Sequence, residues 1–108
     1  MARDPLKAER CAELLAALAA PERLRIVRVL VGGARPVGEI AKCAGVRLAN
    51  VAHHLTMLKA AGLVSAERRG RFVWYALVAE LHEPAACDAT VEVFHLGGCR
   101  LLLPCCRL

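Results

Sequence analysis

The sequence predicts a mainly α domain completed by two antiparallel β-hairpins, and three observations carry that prediction. Aliphatic residues recur at helical spacing from Leu6 to Leu58. Two strand-like runs then flank the basic turn Arg68-Arg69-Gly70-Arg71, and two more flank Gly97-Gly98. Apolar residues make up 57% of the 108 residues and aromatic ones 4%. The core is therefore to be built from Leu, Val, Ile and Ala, and disorder is excluded. The length suits one domain over residues 1–108, near the small end where assembly into a dimer adds buried surface.

Each element has its own signal. Asp4-Pro5 reads as an N-cap followed by a first-turn proline. Leu6, Cys11, Leu14, Leu15 and Leu18 then mark a first helix over residues 5–19. Pro21 restarts the chain; Leu24, Val27, Leu30 and Val31 form one face of a second helix, with Arg23, Arg25 and Arg28 partly outside. Gly32-Gly33 stops it. Pro36 opens a short third helix ending at Ala44, and Gly45 stands where a C-terminal cap belongs. The fourth helix runs over residues 48–61, and the 3-4-3 rhythm of Leu48, Val51, Leu55 and Leu58 is expected to face the core. Gly62 ends it. Leu63-Val64 and Phe72–Leu77 supply the first hairpin, the second run being aromatic and β-branched as strands prefer. Glu83-Pro84 breaks any helix begun near Val78. Residues 90–96 and 99–103 read as a second hairpin around Gly97-Gly98, ended by Pro104 and followed by Cys105-Cys106.

Two helices joined across Gly45, over residues 36–61, with polar residues outside the second, make a helix-turn-helix. The basic hairpin over 63–77 makes it winged. The predicted fold is thus mainly α with a β-wing: a winged helix-turn-helix with an additional C-terminal β-hairpin. Its chemistry points to nucleic acid. A recognition helix needs short polar or bidentate side chains near its N-terminus to reach base edges, and Arg47, Asn50 and His53 are so placed. Arg68, Arg69 and Arg71 offer the wing's cations to phosphates or the minor groove. The plainer reading makes the arginines a solvated charge run and His53-His54 an ordinary surface or core pair. A net charge of +5, with twelve arginines to three lysines, favours phosphate forks over point charges and predicts salt-dependent binding.

Residues 21–77 resemble the ArsR/SmtB family of winged-helix repressors. The resemblance rests on Pro21-Glu22-Arg23-Leu24-Arg25-Ile26, on the run Asn50 to Val64 with His53-His54-Leu55 inside it, and on the wing from Gly70-Arg71 to Tyr75. It implies a homodimer on palindromic double-stranded operator DNA near its own promoter. Release would follow binding of an inducer, usually a thiophilic or transition metal ion; DNA binding itself would need no cofactor. The match makes Asn50, His53 and His54 DNA contacts or supports, His54 orienting the helix rather than reading a base. Lys59, in the same run, joins the DNA-binding set. The family's first helix lies at the dimer interface, which makes residues 5–19 the dimerisation helix. Its fifth, C-terminal helix is replaced here by the β-rich stretch after Thr90, so the first helix and that hairpin are expected to make most of the interface.

The family's sensor sites find few matches. Cysteines at the start of the third helix, as in arsenic and cadmium sensors, would fall at Gly38 and Ala41, and Cys43 lies two residues further on. A pair within the recognition helix would fall at Met57 and Ala61. The Asp and His pairs of zinc-type sites meet only His82, Glu83, Asp88 and His95, in a segment broken by Pro84. What remains is the Cys-rich segment 90–108, with Cys99, Cys105 and Cys106 within eight residues. Three thiolates suit As(III) or Sb(III), and also Cu(I), Cd(II) or Pb(II). Arg100 and Arg107 favour the deprotonated sulfur that such ions need. Adjacent cysteines are awkward partners for an unstrained disulfide. Cys11 is a candidate extra ligand, brought near the partner's tail across the dimer interface. Cys43 and Cys87 read as structural, small buried hydrophobes. The plainer reading of the tail is a frayed end with uninvolved cysteines.

The charge-free apolar stretches Leu14–Pro21 and Phe72–Ala79 are eight residues each, far short of the ~20 a bilayer requires. Arg3, Asp4, Lys7, Glu9 and Arg10 stand where a signal peptide would be apolar. The chain is therefore expected in the cytoplasm, away from membranes, where structural disulfides rarely persist. The alternative inducer chemistry is a thiol redox or persulfide response on the same fold. It differs by forming a defined disulfide instead of a thiolate-to-metal absorption band. A thiol-rich metallochaperone is disfavoured by the arginine wing. An enzyme would need a nucleophile–base pair, paired carboxylates or a phosphate-cradling glycine loop, and the sequence offers no recognisable one.

Overall fold

The computed structural model describes residues 7–83 and 91–104. Helices α1 (Ala8–Leu18) and α2 (Pro21–Leu30) lead to a two-residue strand β1 (Arg35–Pro36), then α3 (Val37–Ala44) and α4 (Leu48–Ala60). Strands β2 (Val64–Arg69) and β3 (Phe72–Leu77) form the wing, and β4 (His82–Glu83), β5 (Val91–Leu96) and β6 (Cys99–Pro104) follow. All strand pairs are antiparallel, in two three-stranded sheets ordered β1-β3-β2 and β4-β5-β6. The winged helix-turn-helix with its second, C-terminal hairpin is thus the observed architecture.

Local chemistry explains the breaks. Pro21 occupies the first position of α2, where its missing N–H costs nothing and its fixed φ suits the helix. Gly45 caps α3 at φ 66°, a left-handed conformation that turns the chain from α3 into α4. The core then gathers Ile26, Val27 and Leu30 of α2, Ile40 of α3, and Val51, Leu55 and Leu58 of α4. From the other side come Leu14 and Leu18 of α1 with Phe94 and Leu96 of β5. Strand β5 alternates, burying Glu92, Phe94 and Leu96 while Val91, Val93 and His95 face outward. Its buried carboxylate is paired: Glu92 Oε2 lies 2.6 Å from His82 Nε2 on β4.

Several expectations require correction. Leu48 is not in the core; it is 60% exposed, because as the first residue of α4 it precedes the turn that packs inward at Val51. The sequence leaves the stretch after Val78 open; the Val78 N–H binds the Leu63 carbonyl at 3.1 Å, and the chain runs through a turn into β4. Strands β1 and β4 are additions, each of two residues, held in place by β3 and β5 respectively. Helix α1 begins at Ala8, with Lys7 left-handed at its N-cap; the Asp4-Pro5 cap lies outside the described residues. Cys43 is exposed on α3, so it is not a buried hydrophobe. Cys87 lies outside the described residues.

The arginines divide differently from the expectation too. Arg23 Nε donates to the Ala17 carbonyl of α1, and Arg25 Nε to the Ala44 carbonyl of α3 at 3.0 Å. Arg10 Nη2 donates to the Ala61 carbonyl at the end of α4 at 2.9 Å. Three guanidiniums thus satisfy carbonyls at helix C-termini, where cations also complement the helix dipole. A share of the positive charge is structural.

Candidate nucleic-acid interface and thiol pair

Helix α4 is anchored by its inward face, and this fixes what its outer face can offer. Val51, Leu55 and Leu58 are fully buried. Asn50 and His53 are exposed, and Arg47, the N-cap residue, is exposed beside them. Lys59 is exposed in the last turn, where a cation also favours the helix end. His54 sits apart from this group: its side chain is 12% exposed and wedged against α2. Its Nδ1 lies 3.3 Å from Arg23 Nη1 and its Nε2 3.5 Å from Glu22 Oε2. His54 thus links α4 to α2 through Arg23 and Glu22.

On the wing, Arg68 and Arg69 end β2 and Arg71 stands in the turn beside Gly70. The pleat sends neighbouring side chains to opposite faces. Arg69 lies over the Trp74 ring, its Cζ 4.6 Å from the centroid, and its Nη2 is 3.2 Å from Glu67 Oε2. That cation–π contact and ion pair stiffen the strand ends. Arg68 and Arg71 are exposed beside it.

The thiols come together in an unforeseen place. Cys11 of α1 and Cys99 of β6 are 88 residues apart in sequence, yet their sulfurs are 3.1 Å apart, with Cys99 Sγ donating to Cys11 Sγ. Cys11 Sγ in turn donates to the Leu96 carbonyl at 2.7 Å, and Cys99 Sγ lies 3.3 Å from the same oxygen. Cys11 is buried and Cys99 half-buried. The bond to Cys11 pushes the Cys99 thiol above its ordinary range, and burial adds to this. Cys11 therefore meets Cys99 within its own chain. Cys105 and Cys106 lie outside the described residues, so the three-thiol cluster has no geometry here. Among the described residues no group of three or more His, Cys, Asp or Glu is arranged to hold a metal ion. His82 and His95, considered for a zinc-type site, face Glu92 and Glu83 across the β4–β5 pair. Asp88 lies outside the described residues.

One residue joins the thiol pair to the recognition helix. Arg10, next to Cys11, holds the carbonyl of Ala61 at the end of α4. Gly62, at φ 81°, leaves room for this: a Cβ there would lie 3.1 Å from the guanidinium. A cleft of about 330 Å³ opens alongside, lined by Arg10, Glu80, His95 and Gly97 among others. Sequence periodicity carries no signal for these contacts, because a helix-end carbonyl looks the same in every sequence.

An exposed recognition helix anchored by its apolar side, followed by an arginine-tipped hairpin, defines a winged helix-turn-helix DNA-binding protein. A helix-turn-helix domain profile matches residues 18–65. The regulator NmtR of Mycobacterium tuberculosis is 38% identical over 87% of this chain and 80% of its own length. CmtR of Mycobacterium bovis is 42% identical over 76% of this chain and 69% of its own. The solution structure of a homodimeric winged helix-turn-helix domain from Mycobacterium bovis, reported as a "possible ArsR-family transcriptional regulator", superposes with TM-score 0.63 at 36% identity, covering 74% of this chain and 78% of that one. The chain belongs to the ArsR/SmtB family of transcriptional regulators. Its relatives are named as regulators rather than enzymes, and among the described residues no helix is long and apolar enough to cross a membrane.

Proposed function

We propose that this chain is a transcriptional repressor that binds palindromic operator DNA as a homodimer and releases it when cysteines capture a thiophilic metal or metalloid ion. The observation that carries the reading is the Cys11–Cys99 pair, two soft sulfurs 3.1 Å apart at the junction of α1 and the C-terminal hairpin. As(III), Sb(III), Cu(I), Cd(II) and Pb(II) prefer such donors. Cys11 and Cys99 would hold the ion, and a third thiolate would come from Cys105 or Cys106. Asn50 and His53 would read bases, while Arg47, Lys59, Arg68 and Arg71 meet phosphates and Arg69 and His54 hold the interface in shape. Release would travel through Arg10, since moving Cys11 moves the guanidinium that holds the end of α4. Homodimerisation is supported by the homodimeric relative and by the exposed Leu15, Val91 and Leu102.

A second reading shares the pair. Two thiols in contact can close to a disulfide when a peroxide accepts their two electrons and two protons and leaves as water. Among the described residues two sulfurs are in contact, which is what this reading needs. Fluorescence anisotropy on promoter DNA separates the two, with the reduced protein titrated by arsenite, cadmium, Cu(I) or peroxide. Release by one ion, abolished in Cys11→Ser and Cys99→Ser, supports the ion sensor. Release by peroxide alone supports the dithiol, and indifference to every agent overturns both.

A further inference from the structure

The outer face of the recognition helix carries few hydrogen-bonding side chains. Across its first three turns the exposed residues are Leu48, Ala49, Asn50, Ala52, His53 and Thr56, with Met57 beside them. Asn50 and His53 are exposed polar residues here, the His53 ring lying 5.7 Å from that of His54. Thr56 donates its hydroxyl to the Ala52 carbonyl of its own helix at 2.8 Å, which leaves its methyl as the exposed apolar end. Leu48, the first residue of the helix, is 60% exposed and adds a large aliphatic side chain to this surface. Ala49, His53 and Thr56 follow one another at helical spacing on the side opposite Val51 and Leu55, with Ala52 alongside.

A small apolar strip on a helix that enters the major groove has one complementary feature among the four bases. Thymine alone presents a methyl group there, at C5, and alanine or a threonine methyl packs against it. Exposed Arg47, Arg68 and Arg71 offer cations suited to phosphates, which favours duplex DNA over another protein as the partner of the strip. We infer that the operator half-site is recognised in large part through thymine C5-methyl groups, packed against Leu48, Ala49, Ala52 and Thr56, with Asn50 and His53 adding the hydrogen-bonded contacts. This rests on the DNA-binding reading of α4 and names what that helix reads.

The test uses the reduced full-length protein and a pool of random-sequence duplexes. Sequences that it enriches are synthesised three ways: with thymine, with uracil in every place of thymine, and with 5-methylcytosine at the cytosines of the uracil version. Uracil keeps all base pairs and phosphates and removes only the methyls. The expected result is thymine-rich half-sites, with Kd weakened about fourfold for each contacted methyl on going to uracil. Ala52→Ser and Leu48→Asn should each narrow the thymine-to-uracil ratio. Enriched sequences bound equally well with uracil would overturn the inference while leaving the DNA-binding reading intact. Failure to enrich any sequence would overturn the DNA-binding reading itself, and this inference with it.

Discussion

The two three-stranded sheets are built alike and used in opposite ways. The wing sheet, β1-β3-β2, ends in exposed arginines, and Phe72 near its tip is 59% exposed. Its strands show no strict inside–outside alternation, since from Phe72 to Leu77 only the first residue is exposed and the rest are half-buried. The second sheet, β4-β5-β6, drives Phe94 and Leu96 under α1 and buries them to 1% and 0% exposure. The lesson concerns anchoring. An arm that meets a charged polymer is held at its base and left bare at its tip, whereas a hairpin that packs under a helix must alternate strictly to close a core.

The largest effect that could break this contrast is on stability. Phe94→Ala should cost about 3–5 kcal/mol, read as a lower urea midpoint, while Phe72→Ala on the wing should leave the midpoint within about 0.5 kcal/mol. Equal losses would mean that the sheets are not used differently. Next in size is DNA binding: Arg68→Ala with Arg71→Ala should weaken it across all sequences and lower the slope of log Kd against log salt by about one for each arginine removed. The unfolding midpoint of that double variant should not move.

Smaller is the loss expected from Arg10→Ala. The reduced protein should bind DNA within a few-fold of the unchanged chain but release it only weakly when the thiols are loaded, as anisotropy would show. Full release would place the coupling elsewhere. Smallest is the pH effect of Cys99. Its thiol holds its proton more tightly in the folded chain than in the unfolded one, so the stability it adds is present below the ordinary thiol range. That stability is lost as pH rises through the alkaline range. Unfolding midpoints measured upward from neutral pH should therefore fall more steeply than those of Cys99→Ser.

How much of this was legible in the sequence follows from what periodicity encodes. Helical spacing and the placement of Pro21, Gly45 and Gly62 marked four helices, and the arginine turn and Gly97-Gly98 marked two hairpins, because each is a local decision of the backbone. Leu48 failed the same rule: a rhythm of apolar residues does not say where the helix begins to touch its neighbours. Strands β1 and β4 are too short to have a period. The Cys11–Cys99 contact and the arginines bound to Ala17, Ala44 and Ala61 are tertiary, and their acceptors are carbonyls that every residue has. For the candidate site, residue type singled out Asn50, His53 and the wing arginines, and all of them are exposed in the structure. It did not separate Arg69, held by Trp74, from the exposed Arg68 and Arg71.

The span between Cys11 and Cys99 also bears on how the chain is made. A ribosome adds about 5–20 residues per second, so α1 emerges roughly 4–18 s before the strand that covers it. During that interval Leu14 and Leu18 can already lie against α2 while the place of Phe94 stays empty. The DNA-reading half can fold first; the thiol pair is assembled only once β6 has followed α1 out, 88 residues later.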